Sequence, residues 1–87
     1  MGLDTVDLLE RMETTFGIRI RQQEVAGVVT VGDLYSLVHH YLAAVPAHAR
    51  PSLPVEATVN ALVAEISGFD LPEIHAGQSL TDDLGLD

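Results

Sequence analysis

The chain has 87 residues, 47% of them hydrophobic and only 5% aromatic, which allows one small domain with a core of Leu, Val, Ile and Ala and is too small for a large enzyme cleft. Thirteen acids against four arginines and no lysine give a net charge of −9, a surface that repels nucleic-acid phosphates and anionic lipid and whose natural complement is a basic protein surface; on composition alone the acidity reads equally as a means of keeping a small domain soluble. Without cysteine there are no disulfides or thiolate metal sites; no apolar run approaches the roughly 18 to 20 residues of a membrane span and no basic-then-apolar leader opens the sequence, so a soluble, cytoplasmic domain is expected.

The first periodic segment covers residues 5–16. Val6, Leu9, Met12 and Phe16 recur at spacings of three and four, with Leu8 at the edge of the stripe, while Asp7, Glu10 and Glu13 point elsewhere. This predicts an amphipathic helix with an acidic outer face. Asp4 or Thr5 can cap its first turn, because a short side-chain oxygen there accepts from an orphan backbone N–H. Gly17 is the stop signal. Ile18-Arg-Ile20 reads as an extended connector that buries both isoleucines, and residues 22–26 as one short helical turn.

Thr30 followed three residues later by Asp33 is a variant of the capping box. It opens a helix over residues 31–44, with Leu34, Leu37, Val38, Tyr41, Leu42 and Val45 as the apolar set. Pro46, Pro51 and Pro54 mark the stretch around 45–53 as a connector. Pro54 suits the first turn of a final helix, where its missing N–H would be unpaired anyway. Val55, Val59, Leu62, Val63 and Ile66 form that helix's stripe, and Ser67-Gly68 ends it. Residues 69–87 read as a long irregular segment laid across the helices by Phe69, Leu71, Ile74, Leu80 and Leu84. A loop of that length needs a packing or functional reason.

Few other constellations carry chemistry. His39 and His40 are adjacent and point about 100° apart on a helix, while His48 falls in the connector and His75 in the long loop. They read as surface histidines, not as a zinc site. Asp82-Asp83 read as turn-capping residues ahead of the alternative, a loose divalent-cation site. No serine, histidine and carboxylate set stands in a hydrolase context and no glycine loop can cradle phosphate, so no enzymatic activity is expected.

The two ends of the chain carry the strongest signal. Met1-Gly-Leu-Asp-Thr-Val-Asp-Leu-Leu-Glu10 and Ser79-Leu-Thr-Asp-Asp-Leu-Gly-Leu-Asp87, joined tail to head, read Asp-Asp-Leu-Gly-Leu-Asp-Thr-Val-Asp-Leu-Leu-Glu, with Gly-Leu-Asp present at both 2–4 and 85–87. The joined motif closely resembles the prosthetic-group attachment region of the acyl carrier protein family. Rearranged, nearly the whole chain is similar to that family. Residues 54–67 look like its first helix, 68–84 like its long first loop ending in Asp-Asp-Leu-Gly, 5–16 like its second helix, and Thr30-Val-Gly-Asp33 like the start of its last.

The resemblance implies an all-α four-helix bundle that is circularly permuted, with family helices in the order 2-3-4-1. Residues 1–44 then hold family helices 2 to 4, 45–53 a connector, and 54–87 family helix 1 with the long loop. About ten residues reach roughly 30 Å, ample for neighbouring helix axes about 8 to 10 Å apart. Chain ends beside the attachment site imply fraying there.

Family members attach a 4'-phosphopantetheine arm through a serine at the start of the second helix and carry acyl or peptidyl groups on it as thioesters. The aligned residue here is Thr5, preceded by Asp4. Threonine keeps the hydroxyl, but its β-methyl restricts χ1 and crowds the attacking oxygen, so modification is expected to be slow or absent. Thr5 also reads as a simple helix-capping or first-turn residue. The implied partners are a phosphopantetheinyl transferase and basic surfaces of synthase enzymes from fatty acid, polyketide or nonribosomal peptide biosynthesis. These would dock on Asp4, Asp7, Glu10 and Glu13, with Val6 near the partner's apolar groups; the same acids also read as a solvated helix face. The expectation is an acyl or peptidyl carrier domain. The alternative is a non-modified interaction module that keeps the acidic docking helix. A monomer is expected, and a dimer swapped through the connector is the alternative.

Overall fold

The computed structural model describes residues 3–86. Among them are four α-helices and no strand: α1 (Leu3–Phe16), α2 (Gln22–Val25), α3 (Val31–Ala43) and α4 (Val55–Ser67), with 3₁₀ turns at Ala47–Ala49 and Leu71–Glu73. The chain is all-α, as expected. No helix among the described residues is long and apolar enough to cross a membrane.

Local chemistry fixes the helix ends. At the start of α3, Asp33 N–H donates to Thr30 Oγ1 at 3.2 Å, while Asp33 Oδ2 accepts from the N–H groups of Thr30 and Val29, each at 2.9 Å. The expected capping box therefore forms. The backbone N–H of Thr30, and then that of Val29, hold the Asp33 carboxyl below the usual carboxylate range. Gly17 (φ 68°) and Gly68 (φ 81°) turn the chain out of α1 and α4 through left-handed backbone, which a β-carbon would strain. The Pro54 carbonyl accepts from Thr58 N–H at 3.0 Å and so opens α4. One boundary differs: α1 is described from Leu3, so Asp4 and Thr5 lie inside its first turn. An aspartate there is favoured by the positive end of the helix dipole.

Helix α4 packs against both α1 and α3. Leu8, Met12, Val31, Leu34, Val38, Val59 and Val63 are wholly buried between them. The stripe on α1 is rotated from the expected one. Leu8 sits at its centre with Leu9, Met12 and Phe16, and Val6 is 38% exposed. The cause is the side from which α4 approaches: Arg11 meets Glu65 there, and Val6 is left on the flank turned towards α2, beside Leu9 and Glu13. Ile18 is buried and Ile20 packs against the core in part, as do Tyr41, Leu62 and Ile66.

The segment after α4 is tied to the start of α3. Val31 N–H donates to the Gln78 carbonyl (3.0 Å), Gly32 N–H to Ala76 (2.8 Å) and Leu80 N–H to Val29 (2.9 Å), around an isolated antiparallel bridge between Thr30 and Ser79. Gly32 permits this approach, because a β-carbon there would lie 3.1 Å from the Ala76 oxygen. Ile74, Leu80 and Leu84 are buried anchors, as expected, and Phe69 packs against the core in part. Leu71 is not an anchor: it is 52% exposed, Ile74 fills the inward position at the exit of the 3₁₀ turn, and Leu86, 2% exposed, adds a deeper contact. The radius of gyration, 12.2 Å, is that of a packed globule of this length, about 12 Å, so the long segment lies on the helices.

The connector is more ordered than a spacer. Arg50 folds back so that its Nε donates to the Val45 carbonyl (2.8 Å) and its guanidinium reaches the Ala43 carbonyl (3.4 Å). The Ala43 carbonyl is the last of α3, one of the groups a helix leaves without an intrahelical partner at its C-terminus, and Val45 follows just beyond it.

Candidate functional site

Thr5 sits in the first turn of α1, half-buried. It shares a cleft of about 250 Å³ with Val25, Ala26, Val28 and Val29 from around α2, and with Leu80 and Thr81 from the far end of the chain. The two stretches that read as one motif thus adjoin in space. Beyond Thr81 the chain makes a tight turn. Ser79 N–H donates to Asp83 Oδ2 at 2.6 Å and Asp82 N–H to Ser79 Oγ at 3.0 Å, so Asp83 caps as expected. Gly85 (φ 68°) then turns Leu86 into the core. Gly2 and Asp87 of the repeated Gly-Leu-Asp lie outside the described residues.

The acidic residues of α1 divide by what they touch. Asp7 pairs with Arg11 at 3.4 Å, and Arg11 also meets Glu65. These carboxylates, Glu65 first and then Asp7, raise the pKa of the guanidinium. Glu13 Oε2 accepts from Ile20 N–H at 2.8 Å, which ties the segment after α1 back onto the helix. Glu10 is exposed and has no ion pair among the described residues, and Asp4 is half-buried. Of the four, neither Glu10 nor Asp4 has an ion pair among the described residues, and Glu10 is the more exposed. The i, i+4 spacing of Asp7 and Arg11 was a legible signal. The Glu13 bond to Ile20 was not, because it depends on how the chain reverses after Gly17.

A second cleft, about 240 Å³, lies between α1 and α2, with Val6, Leu9, Ile20 and Val25 as its apolar lining and Glu10, Glu13 and Gln22 at its edge. Val25, Ala26, Val28 and Val29 line the cleft without having stood out in the sequence; only the folded backbone brings them to Thr5. No cluster of metal-ligating side chains occurs among the described residues. The chain matches no family model, no curated protein and no solved structure.

Proposed function

We propose that the chain is an acyl-carrier-like domain, a four-helix bundle in which α1, α2 and α3 stand for the family's second, third and fourth helices and α4 for its first. The observation that carries this reading is the cleft shared by Thr5, Leu80 and Thr81, which sets the Asp-Asp-Leu-Gly turn beside the α1 N-terminus from opposite ends of the chain. The capping box at Thr30 and the buried anchors along residues 74–86 support it. The domain performs no bond chemistry itself; it presents a group to partner enzymes.

The residues present fit a phosphopantetheine arm. Thr5 supplies a hydroxyl in the first turn of a 14-residue helix, where the positive end of the helix dipole favours a phosphodiester. Val25, Val28 and Val29 line the adjoining cleft with apolar surface. When attached, the arm supplies a terminal thiol that holds an acyl or peptidyl group as a thioester. Glu10, Asp7 and Asp4 face the basic transferase or synthase surface, and Val6 supplies an apolar contact beside them. The β-methyl of Thr5 slows or blocks attachment. A second reading, an unmodified interaction module docking through the same face, rests on that substitution.

Intact mass after incubation with coenzyme A and a broad-specificity phosphopantetheinyl transferase separates these readings. An adduct on Thr5 establishes a working carrier. An adduct on a Thr5→Ser variant alone establishes a carrier fold whose attachment chemistry is switched off. No adduct on either, with both variants folded, contradicts the carrier reading and leaves the interaction module.

A further inference from the structure

We propose that the cleft between Thr5 and residues 25–29 is a subsite for the neutral, branched hydroxy-amide segment that follows the phosphate in a phosphopantetheine arm, with Thr81 as its hydrogen-bonding partner. The inference rests on the carrier reading of Thr5 and adds to it a place where the arm lies. The cleft differs from its neighbours in charge. In a chain of net charge −9, the cleft along α1 and α4 is edged by Asp7, Glu10 and Arg11, and the one between α1 and α2 by Glu10 and Glu13. The cleft beside Thr5 is walled by Val25, Ala26, Val28, Val29 and Leu80, and its polar side chains are the hydroxyls of Thr5 and Thr81.

Both walls are fixed before any ligand arrives. Leu80 N–H donates to the Val29 carbonyl and Val28 N–H to the Val25 carbonyl, each at 2.9 Å, while Val29 N–H donates to Asp33 Oδ2 at 2.9 Å. The Thr81 carbonyl accepts from Gly85 N–H at 3.1 Å, inside the turn that Ser79 and Asp83 close, so the Thr81 hydroxyl stands on a rigid edge. A wall held in this way loses little freedom when it is covered. The backbone of Val29 is thus engaged on both sides, yet its side chain is 60% exposed. Beside the partly buried Val28, it offers apolar surface that the fold leaves open and that a small apolar group would remove from water.

Size and chemistry select the occupant. A volume of about 250 Å³ has room for about eight water-sized groups at about 30 Å³ each, which matches the branched segment between the phosphate and the first amide of the arm. That segment carries a pair of methyl groups on one carbon, a hydroxyl and an amide carbonyl, and it has no charge. Its methyl groups suit Val25, Val28 and Val29, and its hydroxyl or carbonyl suits Thr81, because a threonine hydroxyl both donates and accepts. Thr5 itself lines the cleft, so the segment next to the attachment point reaches it directly, whereas the thiol and its cargo come later along the arm.

NMR of the full chain carrying Thr5→Ser, loaded by a transferase from coenzyme A with isotope-labelled geminal methyl groups, tests it. Nuclear Overhauser contacts are expected between those methyl groups and the methyls of Val28 and Val29. Val29→Ser, which changes an exposed side chain, should weaken the contacts to Val28 about three- to ten-fold, the value of one or two buried methyl groups, and leave the core methyl shifts of Leu8 and Val59 in place. Thr81→Val keeps the side-chain shape without the hydroxyl and should shift the balance between docked and free arm about two- to ten-fold towards free, the range of one hydrogen bond. A loaded chain whose geminal methyl groups touch neither valine, or contacts unchanged in Val29→Ser or Thr81→Val, would overturn the proposal and leave the carrier reading standing. A folded Thr5→Ser chain that is never loaded would overturn both.

Discussion

At the scale of single residues, one methyl group separates Thr5 from a serine in the same place. Its cost is steric and kinetic, because a β-branched side chain has fewer rotamers from which its oxygen can attack. Thr5→Ser is predicted to raise the rate of transferase-catalysed loading at least about tenfold, equivalent to about 1.4 kcal/mol of barrier; intact-mass time courses measure it. The other decisive residue pair is Thr30 and Asp33. Thr30→Ala removes the acceptor for Asp33 N–H and should cost about 1 kcal/mol in urea denaturation. The Asp33 carboxyl lies below its ordinary range in the folded chain, so its stabilising contribution is complete above the ordinary carboxylate range and is lost as pH falls through the folded value. The stability difference between wild type and Asp33→Asn should therefore shrink below about pH 4. A difference that grows with acidity would contradict the assignment.

At the scale of elements, what was legible in the sequence was what local chemistry decides. The limits of α3 and α4, the capping box and the stops at Gly17 and Gly68 each depend on a few consecutive residues, and each is found where the sequence put it to within a residue. What was not legible depends on distant partners. The exchange of Leu8 for Val6 in the buried stripe follows from the direction in which α4, some fifty residues later, meets α1. Leu71 was expected as an anchor and Leu86 was not, yet Leu71 is half exposed and Leu86 almost wholly buried, because the backbone pairing of 76–80 with 29–32 decides which of them the chain delivers to the core. Leu86→Ala is accordingly predicted to cost about 2 to 5 kcal/mol, and Leu71→Ala to stay within about 0.5 kcal/mol. Urea denaturation of the two variants compares them directly. The candidate site divides in the same way: Thr5 and the acids of α1 stood out in the joined motif, whereas the valines of 25–29 reach the cleft only through tertiary packing.

At the scale of the whole molecule, the net charge of −9 is not spread evenly among available groups. Arg11 is engaged by Glu65 and Asp7, and Arg50 by backbone carbonyls, while the exposed Glu10 on α1 makes no ion pair among the described residues. Association with a basic transferase should slow by about tenfold between roughly 0.01 M and 0.15 M salt as the Debye length contracts, and Glu10→Gln should flatten that slope; stopped-flow binding reads both. The same molecule-wide arrangement brings the ends of the chain together at Thr5, Leu80 and Thr81, and the carrier proposal stands or falls on their belonging to one motif. The most direct test is a rearranged chain in which residues 54–86 come first and residues 4–44 follow, so that Leu86 runs into Asp4, and which also carries the Thr5→Ser substitution. The account predicts that this chain folds, that the core methyl resonances of Leu8, Val59, Val63 and Leu86 keep their chemical shifts, and that a transferase loads it at the substituted position. A rearranged chain that loses those core shifts, or folds with them intact and is never loaded, would contradict it.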